Sequence, residues 1–166
     1  MKQLVFVSGG QTGVDRAATD AAIKNDIDYL GWIPKGRLSE DGVIPYIYDK
    51  FIETNSVEYK VRTRLNIDTS EGTVIIKYHK PLSGGTLYSL NYVKNTSKPY
   101  LILDLELDIL ENIERLMSWL IEYNIAILNF SGARASEVSN IYTITFEFLT
   151  EFIEYYKSST FAAPSE

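Results

Sequence analysis

Residues able to do chemistry are concentrated where glycines meet hydroxyls and arginines. The first such stretch, Ser8, Gly9, Gly10, Gln11, Thr12, Gly13, Val14, Asp15 and Arg16, follows a short apolar run and opens a helical pattern. A strand-to-helix turn of this kind presents unpaired backbone N–H groups and the positive end of the helix dipole. Its glycines let a phosphate approach with no Cβ in the way. The spelling is neither G-x-G-x-x-G nor a loop ending in Gly-Lys-Ser/Thr, which removes the standard dinucleotide fingerprint and the Walker A NTPase loop. A tight turn that only packs helix on strand is the competing assignment. Two further stretches have similar composition: Ser83, Gly84, Gly85 and Thr86 after an apolar run at 73–78, and Asn129, Phe130, Ser131, Gly132, Ala133 and Arg134 closing a run that begins at Ile125.

A fourth stretch ends the apolar segment at 29–33 in cations, with Lys35, Gly36 and Arg37 followed by Glu40, Asp41 and Gly42. A ribose-binding dehydrogenase places an acid there, so Lys35 and Arg37 point to a phosphate or another anion, and a polar surface loop explains them equally well. Glu40 and Asp41 could coordinate a hard cation or hydrogen-bond a sugar, although adjacent loop acids are more often solvated. Tyr59, Arg62, Thr63 and Asn66 fall at i, i+3, i+4 and i+7, on one helix face beside an apolar stripe of Val57, Val61 and Leu65. That spacing puts Arg62 and Thr63 at the core boundary within reach of a ligand, with an ordinary salt bridge as the alternative for Arg62. With one histidine and no cysteine, Cys/His metal sites and papain-like catalysis are excluded, and no metal site is expected. His79, just past the run at 73–78, has no identifiable partner and is a weak candidate for a general base.

The elements that must position these residues follow from the apolar pattern. Runs at 4–7, 73–78, 100–103 and 125–130 are continuous rather than alternating, as in strands buried on both faces, and 29–33 completes about five. The intervening segments have helical periodicity. Thr12 and Asp15 form a capping-box-like pair before Val14, Ala17, Ala18, Ala21 and Ala22, and 87–94 is helix-compatible. Ile109, Ile113, Leu116 and Leu120 mark another helix, while Ile141, Ile144, Phe148, Phe152 and Tyr155 mark a last one against strong strand propensity at 141–146. The expectation is a doubly wound, Rossmann-like α/β fold, mainly parallel, with helices on both faces. All three glycine turns then lie at the carboxyl edge of the sheet, where open α/β folds bind ligands. One domain over 1–157 is expected, with a frayed tail at 158–166.

Of 166 residues, 16 are Lys or Arg and 22 Asp or Glu, giving a net charge of −6. Such a balance argues against general nucleic-acid binding. The charge is uneven: residues 1–103 carry 13 Lys/Arg against 11 Asp/Glu, and residues 104–166 carry 3 against 11, so the cations accompany the motifs. No apolar run approaches the length of a membrane span, the start of the chain lacks the pattern of a secretory leader, and cysteine is absent. A cytoplasmic location is therefore expected.

Taken in order, S-G-G-Q-T-G-V-D-R-A, P-K-G-R with E-D-G, Y-x-x-R-T, S-x-G-T, S-G-G-T and N-F-S-G-A-R-x-S resemble the putative molybdenum carrier family over most of the chain. The resemblance implies a Rossmann-like fold related to lysine-decarboxylase-like and nucleotide-sensing SLOG domains. It also implies a homo-oligomer and a binding or carrier protein for a phosphate-bearing small molecule, either molybdenum cofactor or a nucleotide. Two departures stand out. The last motif reads Gly132-Ala133-Arg134 where the family often has G-P-R. The related phosphoribohydrolases carry glutamates after their P-G-G-x-G-T loop, where this chain has Leu87-Tyr88-Ser89-Leu90. The second departure weighs against the alternative, a nucleotide-processing hydrolase drawing on Glu40, Asp41 or His79.

Overall fold

The computed structural model describes residues 2–161. In chain order the elements are β1 (Val5–Val7), α1 (Val14–Lys24), β2 (Asp28–Ile33), a small hairpin of β3 (Leu38–Ser39) and β4 (Gly42–Val43), β5 (Phe51–Glu53), α2 (Tyr59–Thr69), β6 (Gly72–Lys77), α3 (Gly84–Lys94), β7 (Tyr100–Asp104), α4 (Ile109–Glu122), β8 (Ile127–Ser131) and α5 (Ile141–Phe161). Six strands form one sheet in the order β5-β2-β1-β8-β6-β7, and every pairing in it is parallel. This is the doubly wound Rossmann-like fold the pattern predicts, with one strand more than expected. The extra strand is β5, three residues of which only Phe51 is buried, too short to register as an apolar run.

The continuous runs become strands because both sheet faces are covered. Val74 and Ile76 enter the larger core with α1, α4 and α5, while Ile75, between them, faces the smaller cluster of Ile67, Leu90 and Val93 from α2 and α3. In α5, Ile141, Phe148, Leu149, Phe152, Ile153 and Tyr156 are buried. Their 3.6-residue spacing lets tertiary packing override the strand propensity of the first turns. Tyr155, expected on that face, is instead exposed. The helix runs to Phe161, past Ser158 where fraying was expected, and 162–166 lie outside the described residues. No helix among the described residues is long and apolar enough to cross a membrane.

The chain passes from β1 outward to β2 and β5, crosses to β6 and β7, and returns to place β8 between β1 and β6. Helices α1 and α5 pack together beyond one sheet face, and α2 and α3 pack together beyond the other. Loops leaving β1 and β8 therefore turn to one face and the loop leaving β6 to the opposite face. The sheet opens between β8 and β6, the switch point at which such folds bind ligands.

Candidate functional site

A cavity of about 530 Å³ opens at this switch point, lined by Gln11 and Asp15 from the first turn, Glu58, Tyr59, Lys60, Arg62 and Thr63 at the start of α2, Gly84, Gly85, Thr86, Tyr88 and Ser89 in α3, and Ser131, Gly132, Arg134 and Glu137 after β8. The volume suits a nucleotide-sized ligand. The three glycine turns do converge, but they do not contribute equally.

Most amides of the first turn are already used. The amide of Gly10 donates to Ser8 Oγ, that of Gln11 to Asp15 Oδ2, that of Thr12 to Gln11 Oε1 and that of Val14 to the Ala133 carbonyl. The expected capping box is absent: Gly13 caps α1 with φ 78° and no side-chain bond, while the Thr12 hydroxyl goes to Glu40. Asp15 takes the place an external anion would occupy. Arg62 Nη1 donates to Asp15 Oδ2 at 3.0 Å, and both side chains are largely buried. Burial pushes the Asp15 carboxyl above its ordinary value, opposed by Arg62 and by the amides of Gln11 and Gly9. The Arg62 guanidinium lies so close over Gly9 that a Cβ there would stand 1.7 Å from Nη1. Arg62 thus reaches the cavity wall with Nη1 paired to Asp15 and its buried Nε without a partner among the described residues.

The N-terminus of α3 is open. Ser83 caps it without a side-chain hydrogen bond, and the first amide bond of the helix runs from Leu87 to the Ser83 carbonyl, so the amides of Gly84, Gly85 and Thr86 have no partner among the described residues. A Cβ on Gly85 would meet nothing within 4 Å. This second turn presents three consecutive free donors at a helix N-terminus on the cavity wall. Tyr59 and Tyr88 add aromatic surface. The Arg134 guanidinium lies 5.7 Å from the Tyr59 ring centre and Lys60 Nζ 5.4 Å from that of Tyr88. Ser131 donates to Ser89 at 2.8 Å on the floor.

Gln11 is buried, and its Oε1 accepts amide bonds from Thr12 and Glu40, which fixes the orientation of the side-chain amide. Its Nε2 then has no partner among the described residues. A buried orphan donor is destabilising unless an acceptor arrives.

Several expected site residues lie elsewhere. Arg37 is buried and donates to the carbonyls of Ile44, Pro45 and Tyr48, bracing the loop after the hairpin. Lys35 is exposed away from the cavity, and the Gly36 amide donates to Glu53. Arg16 forks onto Asp41, at 2.8 Å from Nη2 to Oδ1, and onto Ser39. Arg16 and Ser39 hold the Asp41 carboxyl down at about 2. Glu40 accepts from Thr12 and Ser136. Burial opposes its ionisation, yet these bonds, with Arg134 beyond them, keep its carboxyl below the ordinary range. His79 Nδ1 pairs with Glu106 at 2.7 Å on the exposed edge. Asn66 bonds the Trp32 amide and carbonyl, completing β2 where β1 has ended. On α2, Asn66 and Ile67 are the buried residues, and Val57 is exposed rather than part of an apolar stripe. The sequence reading missed Glu58, Lys60, Tyr88, Ser89 and Glu137 as cavity residues. Tyr88 and Ser89 were accessible from helical spacing after Gly85, whereas Glu137 carries no motif.

The topology has a simple reading from β8 onward: the sheet order becomes 4-3-2-1-5-6, and the end of α5 returns to the start of β1, with Tyr156 Oη donating to the Lys2 carbonyl at 2.6 Å. Residues 6–153 match the model of the circularly permutated YpsA SLOG family. The chain belongs to that family. A crystal structure from Syntrophus aciditrophicus SB, of a protein described as a "putative molybdenum carrier protein", is 39% identical and superposes with a TM-score of 0.86, over 90% of this chain and 95% of that one. No functionally curated protein matches. The family match spans every cavity-lining residue.

Proposed function

We propose that the protein is a non-catalytic binding or carrier protein for a phosphate-bearing small molecule with a planar heterocycle, either molybdenum cofactor or a nucleotide. The observation that carries this reading is the union, in one switch-point cavity, of three unpartnered α3 amides, the aromatic surfaces of Tyr59 and Tyr88, and rim cations Lys60 and Arg134. The tyrosines would bury the ring, and the amides and rim cations both offer places for oxygen acceptors. The name given to the Syntrophus protein favours molybdenum cofactor. Molybdenum cofactor would bring its metal already attached to an organic ligand. That suits this chain, since no group of three or more His, Cys, Asp or Glu among the described residues could hold a metal ion. The chain's own residues would then bind and shield the pterin and its phosphate.

The hydrolase alternative draws no support from the carboxylates and histidine first considered for it. Glu40, Asp41 and His79 lie outside the cavity lining and have partners of their own, and the buried Asp15 is committed to Arg62. Native mass spectrometry of protein purified from its own host, followed by denaturation, tests the proposal. Release of a pterin or a nucleotide is the expected result. Protein that carries no small molecule and binds neither when they are added would refute it.

A further inference from the structure

Glu137 gives the cavity a chemistry that a plain phosphate cradle would lack. Its Oε2 accepts the Arg134 amide at 3.0 Å, which fixes the carboxylate, while Oε1 accepts no hydrogen bond from the described residues and lies 3.2 Å from where a Cβ on Gly84 would stand. A half-used carboxylate therefore sits beside the unpartnered amides of Gly84, Gly85 and Thr86. A phosphate at those amides would meet a like charge. A ring edge that accepts at one atom and donates at the next would satisfy both groups. The orphan Nε2 of Gln11 independently marks the same cavity as lacking an acceptor.

We infer that Glu137 and the α3 amides together read the 2-amino-4-oxopyrimidine edge shared by guanine and pterin, with the ring carbonyl accepting from the amides and the ring N–H and exocyclic amine donating to the carboxylate. The phosphate then extends to Lys60 and Arg134 at the rim, and the ring lies against Tyr59 or Tyr88. This inference deepens the proposed function and rests on it for the phosphate and the ring. Adenine presents the opposite donor and acceptor pattern, and hypoxanthine lacks the amine. A site built to bond a group discriminates against ligands without it because its own polar atoms are left unpaired.

The test is isothermal titration of the full chain with GMP, IMP, AMP, guanosine and free pterin, repeated on Glu137→Gln. The glutamine still accepts the Arg134 amide and can no longer receive both ring donors. GMP should bind about tenfold or more tighter than IMP and AMP, and free pterin should compete with it. Glu137→Gln should erase the gap between GMP and IMP without changing the unfolding midpoint. Equal binding of GMP and IMP, both far above guanosine, would overturn the edge reading and leave the phosphate reading standing. Equal binding of guanosine and GMP, both above IMP, would do the reverse. Tighter binding of both GMP and IMP to Glu137→Gln would show that the carboxylate only repels phosphate, and no binding of GMP, guanosine or pterin would remove both readings. The comparison of GMP with IMP on the unaltered chain holds even if the variant fails to fold.

Discussion

Replacing Gly9 by alanine should test the closed first turn more cleanly than deleting either charged partner. Gly9 has no positive φ, so the backbone accepts alanine without strain. The added methyl would stand 1.7 Å from Arg62 Nη1 and 2.3 Å from Cζ, so the guanidinium must swing away and leave Asp15 unpaired and buried. Breaking a buried pair by losing one partner costs about 3–5 kcal/mol. Asp15 limits that cost by taking up a proton, so about 2–4 kcal/mol near pH 7.5 is expected. With a urea m-value of about 2 kcal/mol per molar, the unfolding midpoint should fall by roughly 1–2 M.

The pH dependence carries the charge argument. Burial already raises the folded pKa of Asp15 above 3.8, and losing Arg62 raises it further. A raised carboxyl contributes stability that is present below the unfolded pKa and is lost as pH rises through the folded value. The gap between Gly9→Ala and the parent should therefore open with rising pH and narrow toward pH 4. In an Arg62→Met background the same alanine should cost little, since nothing is left to displace. Urea melts at pH 4.5 and 7.5 of all four proteins decide it. A parental midpoint at pH 7.5, or a deficit equal at both pH values, would refute displacement of a charged partner.

Three other perturbations separate structural from ligand-facing roles. Gly85→Ala, with no atom within 4 Å of the new methyl, should leave stability unchanged or raise it by up to about 1 kcal/mol while weakening GMP binding by titration calorimetry; intact affinity would place the ligand away from α3. Arg37→Met removes three hydrogen bonds to backbone carbonyls and should destabilise by about 2–4 kcal/mol in a urea melt with no change in GMP affinity, and a lost affinity would return Arg37 to the site. Glu71 accepts the Ala126 amide at 2.6 Å and the Ile127 amide at 3.1 Å, and these bonds hold its carboxyl below 4.5. Stability from this group is present above pH 4.5 and lost as pH falls through the lowered value, so Glu71→Gln should be less stable than the parent at pH 7, with the gap narrowing as pH falls below 4.5; a gap that does not narrow would contradict that.

What the sequence made legible follows from how local each signal is. Buried parallel strands announce themselves as continuous apolar runs, so β1, β2, β6, β7 and β8 were visible, whereas β5 is held by register against β2 through Phe51. Convergence of three turns was equally legible, because parallel topology fixes which strand ends share an edge. Which turn keeps its amides free was not. Gly10 and Gly85 look alike in sequence, and only the folded structure shows the amide of one bonded to Ser8 and that of the other without a partner among the described residues. Arginines misled for a related reason: a guanidinium carries five donors, and Arg37 directs three hydrogen bonds to backbone carbonyls while Arg16 forks onto Asp41 and Ser39. Charge type marks where anions could be held, but long-range contacts decide which anion it is.

The position of β8 explains why the first turn is sealed. Read from β8, the last strand of the sequence becomes the first of the doubly wound sheet, and its loop lies against the loop leaving β1. The two loops interlock through glycines: a Cβ on Gly13 would stand 2.3 Å from the Ala133 carbonyl oxygen, one on Gly132 would stand 2.4 Å from Val14, and the Val14 amide donates to Ala133 at 3.2 Å. That close approach uses the glycines at the joint for packing, and Asp15, drawn in by Arg62, accepts the Gln11 amide. Beyond β8, however, the loop from β6 turns to the other sheet face, and what the turn after β8 brings to α3 is an acceptor, the Glu137 carboxylate near Gly84, while the first amides of α3 keep no partner among the described residues. The same glycine-rich composition thus yields a packed joint on one side of the switch point and an open polar wall on the other.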